Sequence, residues 1–128
     1  MNLLLDTHAF IWLKTAPINI SDAVLDAYYD LNTQVTLSIA SIWEMQLKIQ
    51  LGKLTLPKPL NTLIDEQCAQ DGLEILPIDR QHIFALSSLP FHHKDPFDRL
   101  LIVQAKMENL VLASNDAVFK HYGVAVLW

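Results

Sequence analysis

The chain of 128 residues has one cysteine, no long apolar run, no internal repeat and no low-complexity stretch. Because Cys68 stands alone, an internal disulfide is excluded, and the composition is typical of a reducing cytoplasm. No apolar stretch approaches the roughly 18 residues that a membrane span needs, so we expect no membrane segment. The opening MNLLLD has no basic residue before its apolar run, which is atypical of a signal peptide.

Lysine and arginine are scarce: the chain has nine of them against 14 acidic residues, for a formal net charge of -5. Only Arg80 and Arg99 are arginines, and the basic residues are spread along the chain. Proteins that coat nucleic acid hold its phosphates with clustered basic side chains, so this composition argues against that class. Chemistry on nucleic acid would have to depend on a local site, such as a metal ion held by the acids of the chain.

Apolar residues are abundant: 52% of the residues are hydrophobic and 18% are charged, which is typical of a globular protein. The length predicts one domain over residues 1–128. The patterns predict strands at Asn2–Leu5, Val35–Leu37, Leu73–Ile78, Leu110–Ala113 and Val124–Leu127. They predict helices at His8–Lys14, Asp22–Leu31, Ser41–Leu51, Leu60–Gln70, Asp79–Leu86, Pro96–Glu108 and Asp116–His121. This alternation predicts an α/β sandwich around a mainly parallel sheet of about five strands.

Several acids at the ends of predicted elements are candidates for chemistry, although each has an ordinary structural explanation. Asp6 ends the first strand and is a favoured helix cap. Glu44 stands three residues after Ser41, which is the spacing of a capping box. Asp116 follows the fourth strand and is suited to cap the short helix after it. Taken one at a time, these residues are more typical of structure than of catalysis.

Two further acids lie in HHKDPFDRLLIVQA, residues 92–105, where they precede an almost continuous apolar run. Asp95 before Pro96 is typical of an N-cap followed by proline at the first helical position. Asp98 falls in the first turn, where the helix dipole favours a negative charge. Because an apolar helix needs at most one acid to cap it, we interpret Asp95 as the cap and Asp98 as a candidate ligand.

The predicted topology brings four of these acids towards one edge of the sheet. Asp6 and Asp116 come just after the carboxyl ends of strands, whereas Glu44 and Asp98 lie in the first turns of helices. In open parallel sheets the ligand crevice lies at this edge. Neighbouring carboxylates repel one another unless a cation neutralises them, and a hard divalent cation such as Mg²⁺ or Mn²⁺ suits such a site.

Four motifs, in this order and spacing, carry a resemblance to a known family: LLLDTHAFIW, SIASIWEMQLK, KDPFDRLLIVQA and LASNDAVF. The chain resembles a PIN domain, and it looks most like the VapC-type toxins of prokaryotic toxin–antitoxin pairs. The motifs span residues 3–119. The resemblance implies a PIN-like three-layer sandwich and an Mg²⁺- or Mn²⁺-dependent endoribonuclease that hydrolyses phosphodiester bonds in RNA.

The resemblance also implies roles for individual residues. The acids expected to act in catalysis and to hold the metal are Asp6, Glu44, Asp98 and Asp116. The residues expected to support those acids or bound water from behind are Thr7, Ser38, Ser41, Asp95 and Ser114. Arg99 stands where many family members have a small residue, so we interpret it as a contact to substrate phosphate or as a partner of Asp95.

The sequence also predicts partners. The helix Ser41–Leu51 has one apolar face with Ile42, Met45 and Ile49 and a second near Trp43, Leu47 and Leu51. Two apolar faces predict that the helix packs both on the core and on another chain. The resemblance implies a homodimer, an RNA substrate and an antitoxin that lays a peptide segment into a groove near the active site.

Three other interpretations compete with this one. His92, His93 and Asp95 would suit zinc, but no cysteine or further histidine completes the ligand set, and we interpret the pair as exposed or in contact with RNA. A catalytically weak PIN-like scaffold that acts through partner binding is disfavoured because all four acids are present. A receiver-type phosphoacceptor domain needs paired acids near the first strand and a lysine after the last, whereas Asp6 stands alone.

Overall fold

The computed structural model describes all 128 residues and contains five strands and six α-helices. The strands are β1 Asn2–Leu5, β2 Gln34–Ser38, β3 Glu74–Leu76, β4 Val111–Ala113 and β5 Val126–Leu127. The helices are α1 Thr7–Thr15, α2 Asp22–Tyr29, α3 Ile39–Gln50, α4 Leu60–Asp71, α5 Arg80–Ala85 and α6 Pro96–Met107. Short 3-10 helices lie at Pro17–Asn19, Leu86–Ser88 and Ala117–Tyr122. None of the helices combines the length and apolarity needed to cross a bilayer.

The five strands form one sheet in the order β3-β2-β1-β4-β5, and every neighbouring pair is parallel. The predicted α/β class with a mainly parallel sheet is confirmed. The chain winds outward from β1 in two directions, so the strand order reverses between β1 and β4, which is where open parallel sheets usually bind ligands. Leu5 pairs with Leu37 and Ala113, which places the residues that follow these strands at one edge of the sheet.

The sheet separates two apolar cores. Side chains alternate along β1, so Leu3 and Leu5 enter the core with α1, α2 and α4, whereas Leu4 enters the core with α6. All three leucines are fully buried, and burial of each side chain contributes about 1.5–3 kcal/mol. Helices on both faces of the sheet give the three-layer sandwich that the resemblance implied.

The start of α3 differs from its prediction, and the capping box of Ser41 and Glu44 is wrong. The helix begins at Ile39, and its N-cap is Ser38, whose hydroxyl oxygen accepts a hydrogen bond from the backbone N–H of Ala40 at 3.0 Å. Because β2 runs directly into α3 without a loop, the last residue of the strand is the cap. Ser41 and Glu44 are thereby freed for contacts inside the molecule.

The two edge strands are shorter than predicted. We expected a strand over Leu73–Ile78 and another over Val124–Leu127, but only Glu74–Leu76 and Val126–Leu127 pair. Pro77 has no backbone N–H to donate and therefore ends β3. The length of β5 is limited because its only neighbour, β4, has three residues.

Candidate metal centre

Asp6 emerges directly after β1 and is 5% exposed. Its Oδ1 accepts a hydrogen bond from the backbone N–H of Ala9 at 2.7 Å, so Asp6 is the N-cap of α1, as predicted. Burial raises the pKa of Asp6, hydrogen bonds from Ser114 and Ala9 oppose the shift, and the charge of Asp116 adds to it. The same carboxylate therefore caps a helix and stands as a buried acid at the edge of the sheet.

Asp116 lies beside Asp6 but is exposed. Its Oδ1 accepts from the backbone N–H of Val118 at 3.0 Å, so it caps the 3-10 helix Ala117–Tyr122 as predicted. The buried hydroxyl of Ser114 accepts from the backbone N–H of Asp116 at 3.1 Å and also bonds to Asp6. Ser114 thus connects the two acids that follow β1 and β4.

Glu44 is buried on α3, and both of its carboxylate oxygens are bonded. Oε1 accepts from the Thr7 hydroxyl at 2.8 Å, and Oε2 lies 2.6 Å from Nζ of Lys48. The Thr7 and Ser41 hydroxyls are 3.0 Å apart, and because a hydroxyl has one proton, Ser41 donates to Thr7 while Thr7 donates to Glu44. The structure places both predicted hydroxyl residues beside this acid.

Asp98 lies in the first turn of α6, and its side chain is 23% exposed. Burial and the nearby charge of Asp95 raise the pKa of Asp98 to about 6, and the charge of Glu44 adds to the shift. Nε2 of His93 lies 3.3 Å from Oδ2 of Asp98 and opposes it. Asp98 and Glu44 are therefore electrostatic neighbours, although they stand on different helices.

The predictions for Asp95 and Arg99, which stand on either side of Asp98 in the sequence, have different outcomes. The cap assignment of Asp95 is confirmed, because its Oδ1 accepts from the backbone N–H of Asp98 at 3.0 Å. The pairing of Arg99 with Asp95 is wrong: the two form no ion pair, and the buried guanidinium of Arg99 donates to the carbonyls of Pro90 at 2.8 Å and Leu89 at 3.1 Å. The Arg99 side chain turns inward because these loop carbonyls need a donor. Contact of Arg99 with substrate phosphate stays a prediction.

Ser38 also departs from its prediction. Its hydroxyl donates to Oε1 of Gln104 at 2.5 Å, so it joins β2 to α6 and bonds to none of the four acids. Sequence reasoning in turn missed two side chains that do contact the acids, Lys48 and His93. The Glu–Lys spacing of four residues on one helix is a signal that points to Lys48. For His93 the only signal was its position five residues before Asp98.

The match with known families settles what kind of domain this is. The model of the PIN domain matches residues 3–125. The chain belongs to the PIN domain family. No curated protein sequence matches this chain. The resemblance drawn from the four motifs is therefore confirmed at the level of the family.

Solved structures resemble this PIN domain over its whole length. A chain of VapBC2 from Rickettsia felis bound to a DNA fragment from their promoter has a TM-score of 0.75 and 18% identity, covering 99% of this chain and 98% of that chain. DNA-bound VapBC from Salmonella typhimurium has a TM-score of 0.74 and 18% identity, with coverages of 99% and 97%. FitAB bound to an IR36 DNA fragment has a TM-score of 0.65 and 26% identity, with coverages of 98% and 93%.

Charge interactions divide the four acids of this PIN domain into two pairs: Asp116 acts on Asp6, and Glu44 acts on Asp98. No three of them bring carboxylate oxygens within 4.8 Å of one another. Mg²⁺ is usually held by one or two carboxylates and several waters, so a tighter cluster is not required. A donor set made only of oxygens fits a hard divalent cation.

A second group of metal-ligand type lies elsewhere. Asp79, His82 and Glu108 bring ligand atoms within 4.8 Å of one another. Glu108 is ten residues after Asp98, or about 15 Å along α6. The buried His82 ring already accepts from the backbone N–H of Asp79 at 3.1 Å and lies 2.9 Å from Glu108, which completes a capping box and ties α5 to α6. Its ring nitrogens thus have structural partners.

Proposed function

We propose that this PIN domain is an Mg²⁺- or Mn²⁺-dependent endoribonuclease and the toxin of a toxin–antitoxin pair. One observation carries the proposal: Asp6 and Asp98 are largely buried at the carboxyl edge of the sheet, their pKa values are raised, and neither pairs with a lysine or arginine. Burying a carboxylate without a cationic partner is costly. A bound divalent cation supplies the missing compensation, which explains why a folded protein keeps these acids there.

The four acids and the hydroxyl residues beside them have different roles in the proposed phosphodiester hydrolysis. Asp6 and Asp98 would hold the ion directly, while Glu44 and Asp116 would hold it through water or take up the proton of the attacking water. When bound, Mg²⁺ or Mn²⁺ polarises the scissile phosphate and lowers the pKa of a bound water. Thr7 keeps the Glu44 carboxylate in one orientation. Ser114 does the same for Asp6 and Asp116.

The family supports RNA as the substrate, and the chemistry of the acidic edge is compatible with it. The chain has a net charge of -5, so long stretches of duplex are not held by its surface. A small acidic, metal-loaded edge suits an exposed single-stranded segment, which is the form in which RNA is usually recognised. We propose that the protein acts in the cytoplasm, with residues 1–128 as one domain.

Two apolar surfaces on α3 support the proposed partners. A groove of about 860 Å³ between α3 and α4 is lined by apolar side chains that include Ile42, Ile49, Leu54, Leu56, Leu60 and Ile64. We assign it to a peptide segment of the antitoxin. On the other side of α3, an exposed stripe at helical spacing consists of Ile39, Trp43, Leu47 and Leu51. We assign this stripe to contact between two copies of the chain.

An RNA cleavage assay with and without Mg²⁺ tests the proposal. The wild-type chain should cleave only with the metal, and Asp6→Ala and Asp98→Ala should both be inactive. Asp26→Ala removes an exposed acid of α2 and is the matched control, which should cleave like wild type. Equal cleavage by wild type, Asp6→Ala and Asp98→Ala would refute the assignment and indicate a contaminating nuclease.

A catalytically weak scaffold that acts by partner binding is the second candidate. One observation favours it: Nζ of Lys48 already neutralises Glu44 at 2.6 Å, which leaves that acid unavailable to a metal. This alternative predicts Mn²⁺ binding or partner binding without RNA cleavage. Cleavage that starts with Mg²⁺ and stops with Asp98→Ala would exclude it.

A further inference from the structure

We propose that His93 is a positioning residue for Asp98, and that the Tyr122 hydroxyl fixes the orientation of the His93 ring. The inference rests on the proposed metal-dependent function, because it concerns how one of the proposed metal ligands is held. It adds a hydrogen-bond relay that connects α6 with the 3-10 helix following Asp116. The geometry of three side chains carries it.

The His93 ring stands between a tyrosine and an aspartate. Nε2 of His93 lies 3.3 Å from Oδ2 of Asp98, and Nδ1 lies 2.6 Å from the hydroxyl oxygen of Tyr122. The His93 side chain is 20% exposed, and Tyr122 is 4% exposed. Both ring nitrogens therefore have a partner in a mostly buried setting.

The hydrogen bonds decide which nitrogen of the ring carries the proton. The Tyr122 hydroxyl oxygen accepts from the backbone N–H of His92 at 3.1 Å and of His93 at 3.0 Å. With both lone pairs engaged, the hydroxyl has one proton to donate, and Nδ1 of His93 at 2.6 Å is a nearer acceptor than the carbonyl oxygen of His93 at 3.4 Å. A neutral ring that accepts at Nδ1 has its proton on Nε2, and that proton points to Asp98.

Hydrogen bonds also hold the loop before His93 and the backbone of Tyr122, at the two ends of this relay. Arg99 donates to the carbonyls of Leu89 and Pro90, which fixes the loop before His93. Lys106 donates to the carbonyl of Tyr122 at 2.7 Å, which fixes the tyrosine on α6. The donor at Nε2 is therefore presented in one direction and does not depend on a flexible side chain.

The relay gives the two carboxylate oxygens of Asp98 different roles. Oδ2 accepts from His93, which leaves Oδ1 and the second lone pair of Oδ2 for a metal ion. A hydrogen bond to the charged form also favours the ionised carboxylate that a metal needs. Partners that hydrogen-bond to metal ligands commonly change metal affinity by about 10–100-fold.

Four variants test the role of His93 with Mn²⁺ as the probe, by calorimetric titration of the purified chain. His93→Leu removes the donor and should weaken Mn²⁺ binding by about 10–100-fold. His93→Gln retains an N–H donor and should bind close to wild type. Tyr122→Phe removes the hydroxyl that orients the ring and should fall between the two. His121→Leu, an exposed histidine of the 3-10 helix that contains Tyr122, is the matched control and should bind like wild type.

The unfolding midpoint of each metal-free variant shows whether the fold is retained, and if His93→Leu does not fold, Tyr122→Phe carries the test. If His93→Leu and Tyr122→Phe both bind Mn²⁺ as tightly as the wild-type chain, the positioning role of His93 is overturned. The proposed metal-dependent function would not be affected by that result. Loss of affinity in His93→Gln equal to that in His93→Leu would overturn the positioning role too, since the donor would not matter. Absence of Mn²⁺ binding by the wild-type chain would overturn this inference together with the proposed function.

Discussion

The two pairs of acids at the carboxyl edge of the sheet are held in different ways. Asp6 and Asp116 stand directly after β1 and β4, where backbone pairing sets their positions and Ser114 joins them. Glu44 and Asp98 lie within helices, and their positions depend on contacts with other side chains. The side chains that hold this second pair are Thr7, Lys48 and His93.

Because of this difference, the two pairs should contribute differently to the stability of the fold and to catalysis. Asp6 and Asp116 each cap a helix, which contributes to stability before any metal binds and offsets part of the cost of burying Asp6. Asp98 caps nothing, because Asp95 is the cap of α6, and burial of its charge costs free energy. We expect changes to Asp6 or Asp116, the strand pair, to lower stability and activity together. A change to Asp98, which forms the helix pair with Glu44, should lower activity but raise the stability of the metal-free chain.

Asp6→Ala and Asp98→Asn should show the largest contrast. Both should abolish RNA cleavage, because each removes a proposed metal ligand. Asp6→Ala should also destabilise the chain by about 1–2 kcal/mol through loss of the cap of α1, whereas Asp98→Asn should stabilise the metal-free chain at neutral pH. Urea unfolding in EDTA measures both effects, and stabilisation by Asp6→Ala would contradict the contrast.

The pH dependence of stability should reveal the buried charge of Asp98. Burial raises the pKa of Asp98 in the folded chain to about 6, above the 3.8 of an aspartate in water, so the folded state binds the proton more tightly than the unfolded state. The stability that this group contributes is present below pH about 4 and is lost as the pH rises through 6, by on the order of 2–3 kcal/mol. Mn²⁺ affinity should fall below pH 6 for the same reason.

Asp98→Asn is the control for this titration, since it removes the group and should flatten that part of the stability curve. Denaturant unfolding of the metal-free chain at several pH values measures it. If both chains lose the same stability between pH 4 and 6, another group is responsible and the burial of Asp98 is not the cause.

Thr7→Val should lower the stability of the chain and remove a hydrogen bond that orients Glu44. The change keeps the size of the side chain but removes the hydroxyl that bonds to Glu44 and Ser41, and a buried polar group left without a partner costs about 1–3 kcal/mol. Thermal unfolding and Mn²⁺ titration measure the change. Thr15→Val at the end of α1 is the matched control, because its hydroxyl bonds only to the carbonyl of Ile11 in an exposed position.

Asp95→Ala should cost about 1 kcal/mol by removing the N-cap of α6, while cleavage is retained in part. Asp95→Asn keeps the capping oxygen and removes the charge, so it separates capping from electrostatics. Complete loss of cleavage in Asp95→Ala, together with an active Asp98→Asn, would show that the roles of the two aspartates are reversed.

Lys48→Met should have the smallest effect on stability, about 0.3–0.5 kcal/mol for one ion pair at a spacing of four residues. Mn²⁺ affinity should nevertheless rise, because Oε2 of Glu44 loses its competing cation. Lys58→Met is the control: it removes an ion pair with Glu66, which is not one of the four acids, and should leave Mn²⁺ affinity unchanged. Weaker Mn²⁺ binding by Lys48→Met would mean that the lysine assists the site.

Much of the fold and the edge of the site could be predicted because the relevant signals are local. The caps at Asp6, Asp95 and Asp116 were found because a carboxylate bonds to backbone two or three residues away. The capping box at Glu44 failed for the same reason: two caps, Ser38 and Ser41, compete within three residues, and only the path of β2 into α3 decides between them.

The amino-acid sequence by itself determined the alternation of strands and helices, the parallel sheet and the acids that follow its strands, since these depend on near neighbours and on apolar periodicity. Only the tertiary structure decided the partners of side chains far apart in the chain. Ser38 meets Gln104 across 66 residues, Thr7 meets Glu44 across 37, and His93 meets Tyr122 across 29. No local pattern encodes such meetings, because each depends on how the helices pack on the two faces of the sheet.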